Sequence, residues 1–372
     1  MIESVTAVSV PPAKGDKAKK MMMNAPSQRN RGQDKAAESP TLEDVAERSG
    51  VSTATVSRCL NNPSVVSEKT RARVMEAVKA LGYAPNFGAR ALAAKRTNTF
   101  GAIIPTMENA IFARGLQAFQ EELERNGITL LVASSSYRPE LEDKQIQSLV
   151  ARGADALLLI GHDRTPDTYD FLEKRQIPYV IAWVHDDNEA RISIGFDNRK
   201  AMKLLAERVL DHGHQSLGLI SAQLEGNDRA RHRLEGIRDA MKERGLDPSK
   251  LQITETQYTI SCGAEALATL LHSDPKPTAV LCGNDVLAAG ALLEARKQGL
   301  RVPQDISITG FDDIEIAEIV SPALTTVHVP HSNMGAGAAK LLLAMRNGED
   351  VEQSVELEAT VVERDSLGNA PT

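Results

Sequence analysis

Between Ser52 and Leu60 the sequence sets out a small group of side chains able to read a surface: Thr53, Ala54, Thr55, Ser57 and Arg58 stay free while Val56 and Leu60 turn inward. Hydroxyls, one methyl and one guanidinium make hydrogen bonds and apolar contacts; they supply no covalent chemistry. The chain carries no Walker loop, no Gly-x-Gly-x-x-Gly fingerprint and no Gly-x-Ser-x-Gly elbow, so no enzyme is expected. Cys59, Cys262 and Cys282 have neither paired nor metal-ligand spacing and read as reduced packing residues. His212 and His214 straddle Gly213 without companion ligands, which predicts a turn role, with no metal and no cofactor.

The charge is unevenly distributed. Up to Arg96 the chain has 16 Lys and Arg against 9 Asp and Glu, and the remainder has 27 against 41, within a net charge of -7 over 372 residues. A basic first quarter on an acidic body suits a nucleic-acid-binding piece, since phosphate neutralisation supplies most non-specific affinity. Charge alone leaves a merely solvated basic tail equally open. No run approaches the roughly 18 apolar residues of a membrane span, and the first 40 residues lack the hydrophobic centre of a secretory signal, so a cytoplasmic, nucleoid-associated protein with no membrane partner is expected.

The elements that must hold the reading face follow from caps and periodicity. Residues 1–40 show no amphipathic period and are expected to be a disordered basic tail. Thr41 caps a first helix carrying Leu42, Val45 and Ala46, which Gly50 ends; Ser52 caps the second. Ser67 caps a third, with Val74, Ala77, Val78 and Leu81 inward and Gly82 as the stop. From residue 99 short apolar runs (100–104, 128–132, 156–160, 179–183, 217–220, 279–282, 306–310) alternate with helical patterns (111–126, 141–152, 199–212, 230–244, 263–272, 286–298, 334–346). Such alternation predicts α/β structure. It has too many elements for one compact sheet, so two doubly wound parallel lobes facing a ligand cleft are expected.

The segment Thr41-Leu-Glu-Asp-Val-Ala-Glu-Arg-Ser-Gly-Val-Ser-Thr-Ala-Thr-Val-Ser-Arg58, continued by Asn61-Asn62-Pro63 and Leu81-Gly82-Tyr83, resembles the helix-turn-helix of the LacI/GalR repressors. The likeness persists through Asn284-Asp285, Gly310-Phe-Asp-Asp313 and Pro322-Ala-Leu-Thr-Thr326. It implies an all-α headpiece at 41–85, a hinge helix and linker at 86–98, a periplasmic-binding-protein-like domain for effector and dimerisation at 99–365, and a disordered tail at 366–372. It implies a transcriptional regulator that represses and is released by a small molecule, acting as a homodimer on near-palindromic double-stranded operator DNA.

Residue by residue, the resemblance puts Thr53 and Ala54 at the specificity-setting pair, Arg58 at the next base-reading position, and Thr55 and Ser57 at phosphates. In the hinge, Asn86 and Arg90 accompany Leu92, which matches a leucine wedge in the minor groove. In the cleft it implies Arg233 and Arg229, Asp285 and Asp312, a covering Tyr258, and Asn109 and Phe112 at the border. Trp183 stands where several sugar-binding members have an aspartate and Arg229 where they have a small hydroxyl residue. Loss of an acid and gain of a base favour an anionic ligand. With Tyr137-Arg138-Pro139-Glu140 and Gly195-Phe-Asp-Asn198, this looks most like the gluconate-repressor branch, hence a sugar or sugar acid. A solute-binding protein or enzyme on the same lobed fold, and a helix-turn-helix protein of recombination or chromosome architecture, are the alternatives.

Overall fold

A computed structural model describes residues 40–84, 96–107, 110–187, 189–351 and 353–371. The chain divides into two compact units, Met1–Pro85 and Asn86–Thr372. All but the last residue of the expected basic tail at 1–40 and the hinge residues Asn86, Arg90 and Leu92 lie outside the described residues, as does Asn109.

The first unit is three helices. In α1 (Leu42–Ser49), Thr41 and Asp44 form a reciprocal capping box, and Gly50 closes the helix in the left-handed region. Ser52 caps α2 (Thr53–Asn61) by accepting from the Thr55 backbone N–H, and Ser67 caps α3 (Glu68–Leu81) through Thr70. Val45, Ala46, Val56, Cys59, Val74, Ala77 and Tyr83 close one small core. Each helix contributes to it, which fixes the face that α2 leaves outward. Cys59 is a core residue, as expected, and Leu60 is only partly covered.

In the second unit the expected alternation gives two parallel sheets. The first lobe runs β1 (Thr99–Ile104), α4 (Ala110–Arg125), β2 (Thr129–Ser134), α5 (Pro139–Ala151), β3 (Ala156–Ile160), α6 (Pro166–Lys174), β4 (Tyr179–Ala182) and β5 (Ser193–Gly195). The second runs α7 (Asn198–Asp211), β6 (Leu217–Ala222), α8 (Asp228–Glu243), β7 (Gln252–Thr256), α9 (Ile260–Leu270), β8 (Ala279–Cys282), α10 (Asp285–Lys297), β9 (Ser307–Thr309) and α11 (Ile316–Ile319). The chain then re-enters through β10 (Thr326–His328) and α12 (His331–Asn347), which packs on α4, and ends in β11 (Val355–Glu356) and β12 (Thr360–Val362).

The sheet orders are β11-β5-β4-β3-β1-β2 and β7-β6-β8-β9, with a small antiparallel β10-β12 pair. In both lobes the first strand has its sequential successor on one side and the third on the other. This reversal opens a crevice beyond the carboxyl ends of the strands, where α/β proteins bind ligands. The central strands are buried on both faces, and the parallel β1 and β3 read as continuous apolar runs for that reason.

One expectation needs correcting. The stretch after residue 365 is not a disordered tail over its described part: Ser366 is fully buried, and its hydroxyl donates to the Ile308 carbonyl at 2.6 Å and accepts from the Thr325 N–H at 2.9 Å. The Ile308 N–H donates to the Ser366 carbonyl, so these residues occupy hydrogen-bonding groups on the open edge of β9. Buried His214 lies 2.9 Å from the Gly368 carbonyl and 3.1 Å from Ser307 Oγ. It ties down the chain end, which is more than a turn role. No helix among the described residues is long and apolar enough to cross a membrane.

Candidate functional site

Two surfaces carry the candidate residues, one in each unit. On α2, Thr53, Ala54 and Arg58 are exposed, while Thr55 and Ser57 are half-buried. Thr55 Oγ1 lies 3.0 Å from the capping Ser52 hydroxyl, and Ser57 Oγ accepts from Asn61 Nδ2 at 3.2 Å. The two hydroxyls are therefore anchored at the helix itself, and Arg58 is left without an ion pair among the described residues. Because α2 buries only Val56 and Cys59, one side of a two-turn helix is free to enter a groove.

In the second unit the loops leaving the carboxyl ends of both sheets converge. The buried α8 residues Arg229 and Arg233 are one turn apart. Arg233 is held on all sides: Nε donates to Asn198 Oδ1 at 2.9 Å, an NH1 hydrogen goes to the Gly283 carbonyl, and the guanidinium lies 3.8 Å from the centre of the Phe311 ring. That scaffolding fixes its remaining nitrogen 3.9 Å from Asp312 Oδ1. Asp312 is 1% exposed, its backbone takes φ +102°, and neither carboxylate oxygen has a hydrogen-bond partner among the described residues. Burial pushes its pKa up to about 7, against the pull of Arg233 and Arg229.

Arg229 reaches the other lobe. Its NH1 donates to Asp228 Oδ1 at 2.8 Å, and Asp228 also accepts from the backbone N–H of His162, beyond β3. Burial alone would raise the Asp228 pKa, but the Arg229 charge and the His162 N–H outweigh it and hold the carboxyl below its ordinary value. A side chain at Gly161 would collide with both the Arg229 guanidinium and the Asp228 carboxylate, so the close approach needs glycine there. Next to it Arg231 forms a bidentate pair with Asp163, both contacts at 2.6 Å. Three residues of the first turns of α8 thus bridge the lobes.

A cavity of about 430 Å³ opens beside these charges, with Tyr137 and Tyr258 in its wall. Their rings are 5.9 Å apart and both phenols are pushed up by burial, with Arg229, Arg233 and Asp312 within electrostatic reach. The geometry separates the expected cleft residues into groups. Arg229, Arg233, Asp312 and Tyr258 come together. Asp285 is anchored within the second lobe: Thr326 Oγ1 donates to one of its oxygens at 2.6 Å and the Ile314 N–H to the other at 2.8 Å. It holds the loop that carries Asp312, and burial together with the Asp312 charge raises its pKa to about 8.

Trp183 and Phe112 also sit deeper than a cleft border. Phe112 packs edge-on to Trp183 at 5.4 Å, and Trp183 Nε1 donates to His331 Nδ1 at 3.1 Å. That bond requires an unprotonated Nδ1, and burial holds His331 down to about 4, so the ring is neutral at physiological pH. Sequence reasoning left Asn198, His331 and Tyr137 out of the site. Asn198 and Tyr137 lay inside segments quoted for the resemblance, but His331 had no local signal; its role comes from a contact 148 positions away in sequence.

Comparisons with known proteins agree with this architecture. Residues 41–86 match the model for bacterial regulatory proteins of the lacI family, and residues 206–367 the periplasmic binding protein-like domain. The HTH-type transcriptional repressor PurR of Klebsiella pneumoniae is 34% identical over 337 residues, covering 89% of this chain and 98% of that protein. The chain belongs to the LacI family. The HTH-type transcriptional regulator GntR of Escherichia coli is 32% identical, over 84% of this chain and 93% of its own. A solved lac repressor dimer bound to operator and the anti-inducer ONPF superposes with a TM-score of 0.78 at 28% identity, over 88% of this chain and 99% of that one. As a LacI-family member the protein is a DNA-binding transcriptional regulator with a ligand-binding domain, not an enzyme, since its relatives are regulators. The expected fold class, a helix-turn-helix headpiece on a two-lobed α/β body, holds.

Proposed function

We propose that this regulator is a homodimeric repressor, acting at the nucleoid, whose affinity for a near-palindromic operator is set by a small sugar acid bound between the lobes. The observation that carries the effector class is the cluster of Arg229, Arg233 and Asp312, whose carboxylate has no hydrogen-bond partner among the described residues, next to a cavity walled by two tyrosines. The arginines match a carboxylate, and Asp312 matches the hydroxyls of a polyol, which donate to it and supply the hydrogen bonds its buried oxygens lack. The resemblance to the gluconate-repressor branch supports the same reading.

Within the proposed division, 41–85 reads DNA, 86–98 is the hinge and 99–365 senses the ligand and dimerises. Thr53, Ala54 and Arg58 read bases, Thr55 and Ser57 hold phosphates, and Asn86, Arg90 and Leu92 act at the operator centre. Ligand binding changes DNA affinity by linkage, so the operator must change ligand affinity by the same factor. Calorimetry of the full chain with gluconate and with neutral hexoses tests the effector class. Binding of gluconate that is lost in Arg229→Met supports the reading; binding of a neutral hexose without any aldonate overturns it.

A further inference from the structure

We propose that the basic stretch 14–35, ahead of the headpiece, is an arm that binds the phosphates of double-stranded DNA beside the operator and supplies much of the positive charge that the headpiece itself lacks. The stretch holds seven Lys and Arg against two Asp and Glu, with Lys17, Lys19 and Lys20 close together. It precedes the residues that match the family's DNA-binding model, 41–86. The folded headpiece is different. Over 41–84 there are six Lys and Arg against five Asp and Glu, all of them exposed. The excess of positive charge in the first quarter of the chain therefore lies on either side of the three helices and hardly on them.

The charge on α1 is of the wrong sign for its place. In a helix-turn-helix the second helix enters the major groove while the first crosses the phosphate backbone. Yet α1 exposes Glu43, Asp44 and Glu47 against a single Arg48, and none of the four forms an ion pair among the described residues. The Thr41 N–H and hydroxyl donate to Asp44 at 2.7 and 2.8 Å and hold its carboxyl below the ordinary value, so it stays ionised. Exposed carboxylates beside phosphates oppose binding unless cations neutralise them. The nearest cations along the chain before α1 are Lys35, Arg31 and Arg29. At no more than about 3.3–3.6 Å per residue, the chain reaches from Thr41 about 20 Å to Lys35 and about 90 Å to Lys14, and DNA offers one charge per roughly 1.7 Å of its axis. The stretch can thus follow the phosphates that flank a half-site. Five of its seven cations are lysines, which meet phosphate as point charges; contacts of that kind position a protein without reading sequence.

The test is fluorescence anisotropy of three proteins: the full chain, a chain beginning at residue 37, and a full-length variant with all seven cations of 14–35 changed to Gln. Each is titrated onto an operator selected from random DNA and onto unselected DNA, at about 50 to 300 mM salt. The headpiece core begins at Leu42, so both changes leave the three helices whole. Each phosphate contact contributes about 0.9 to the slope of log affinity against log salt. Both altered chains are expected to lose about two or more from the magnitude of that slope, and about tenfold or more in affinity at the lowest salt, on both DNAs alike. The ratio of specific to non-specific affinity should stay within about threefold, which shows that the headpiece still reads its operator. A slope that falls by less than about two in the neutralised variant overturns the arm and leaves a solvated tail. A loss confined to the selected operator overturns the phosphate reading in favour of base contacts.

Discussion

Asp312→Asn is expected to change stability in a pH-dependent way that isolates the buried carboxyl at the centre of the site. In the native protein Asp312 titrates at about 7 against an ordinary value of 3.8, because burial disfavours its charge more than Arg233 and Arg229 restore it. The native state therefore binds this proton more tightly than the unfolded chain does. The stabilisation is complete below pH 3.8 and is lost as pH rises through about 7. A proton held in the native state but not in the unfolded chain changes stability by about 1.4 kcal/mol per pH, so the loss between pH 4.5 and pH 8 is about 3 kcal/mol. Asparagine has no such titration. The stability of Asp312→Asn minus that of the parent should rise by about 3 kcal/mol over this interval, whatever constant offset the amide adds. Removing the Asp312 charge also relieves Asp285, which acts in the same direction. The assay is urea unfolding followed by tryptophan fluorescence: Trp183 is the one tryptophan in the chain, so the signal reports the ligand-binding unit without the headpiece. A difference constant within about 0.5 kcal/mol from pH 4.5 to 8 would refute the reasoning, because it would mean that Arg233 and Arg229 fully sustain an ionised Asp312.

Three further outcomes follow from the geometry. Arg58→Ala should weaken binding to the selected operator by about 1–3 kcal/mol while non-specific affinity changes far less, as measured by anisotropy on both DNAs. Thr41→Ala removes the capping box on α1 and should lower headpiece stability by about 1 kcal/mol, visible as faster amide exchange in Val45 and Ala46. Gly115→Ala puts a methyl group into the ring of Trp183 and against the His331 carbonyl; a cost of about 1–3 kcal/mol and a shifted Trp183 emission are expected.

Much of the fold could be read from the sequence because its signals are local. Thr41, Ser52 and Ser67 are caps followed by clear 3.6-residue patterns, and Gly50 and Gly82 end their helices in the left-handed region. The buried parallel strands announce themselves as apolar runs, and 156–160 coincides with β3. Among the elements that escaped notice, β5 has three residues, β7 (Gln252–Thr256) is a half-exposed edge strand of polar and β-branched residues, and α6 (Pro166–Lys174) is a helix of only nine residues. The site was legible only where a motif names a residue. Arg233 and Asp312 lie in such motifs, but the commitment of Asp285 to Thr326 and Ile314 is decided by pairings across 41 and 29 residues, which no local pattern encodes. His331 and the ordered chain end at Ser366 were hidden for the same reason. Charge counting could not separate a DNA-binding headpiece from a solvated tail; the resemblance of Thr41–Arg58 to the LacI/GalR helix-turn-helix did.

The most direct test of a ligand-responsive DNA-binding regulator is fluorescence anisotropy of the full chain on a near-palindromic operator selected from random DNA, titrated with gluconate, related sugar acids and neutral sugars. Tight, sequence-specific binding that a sugar acid releases is the predicted result. Absence of any sequence-specific binding would contradict the account at its base, and specific binding indifferent to every sugar acid would contradict its effector half.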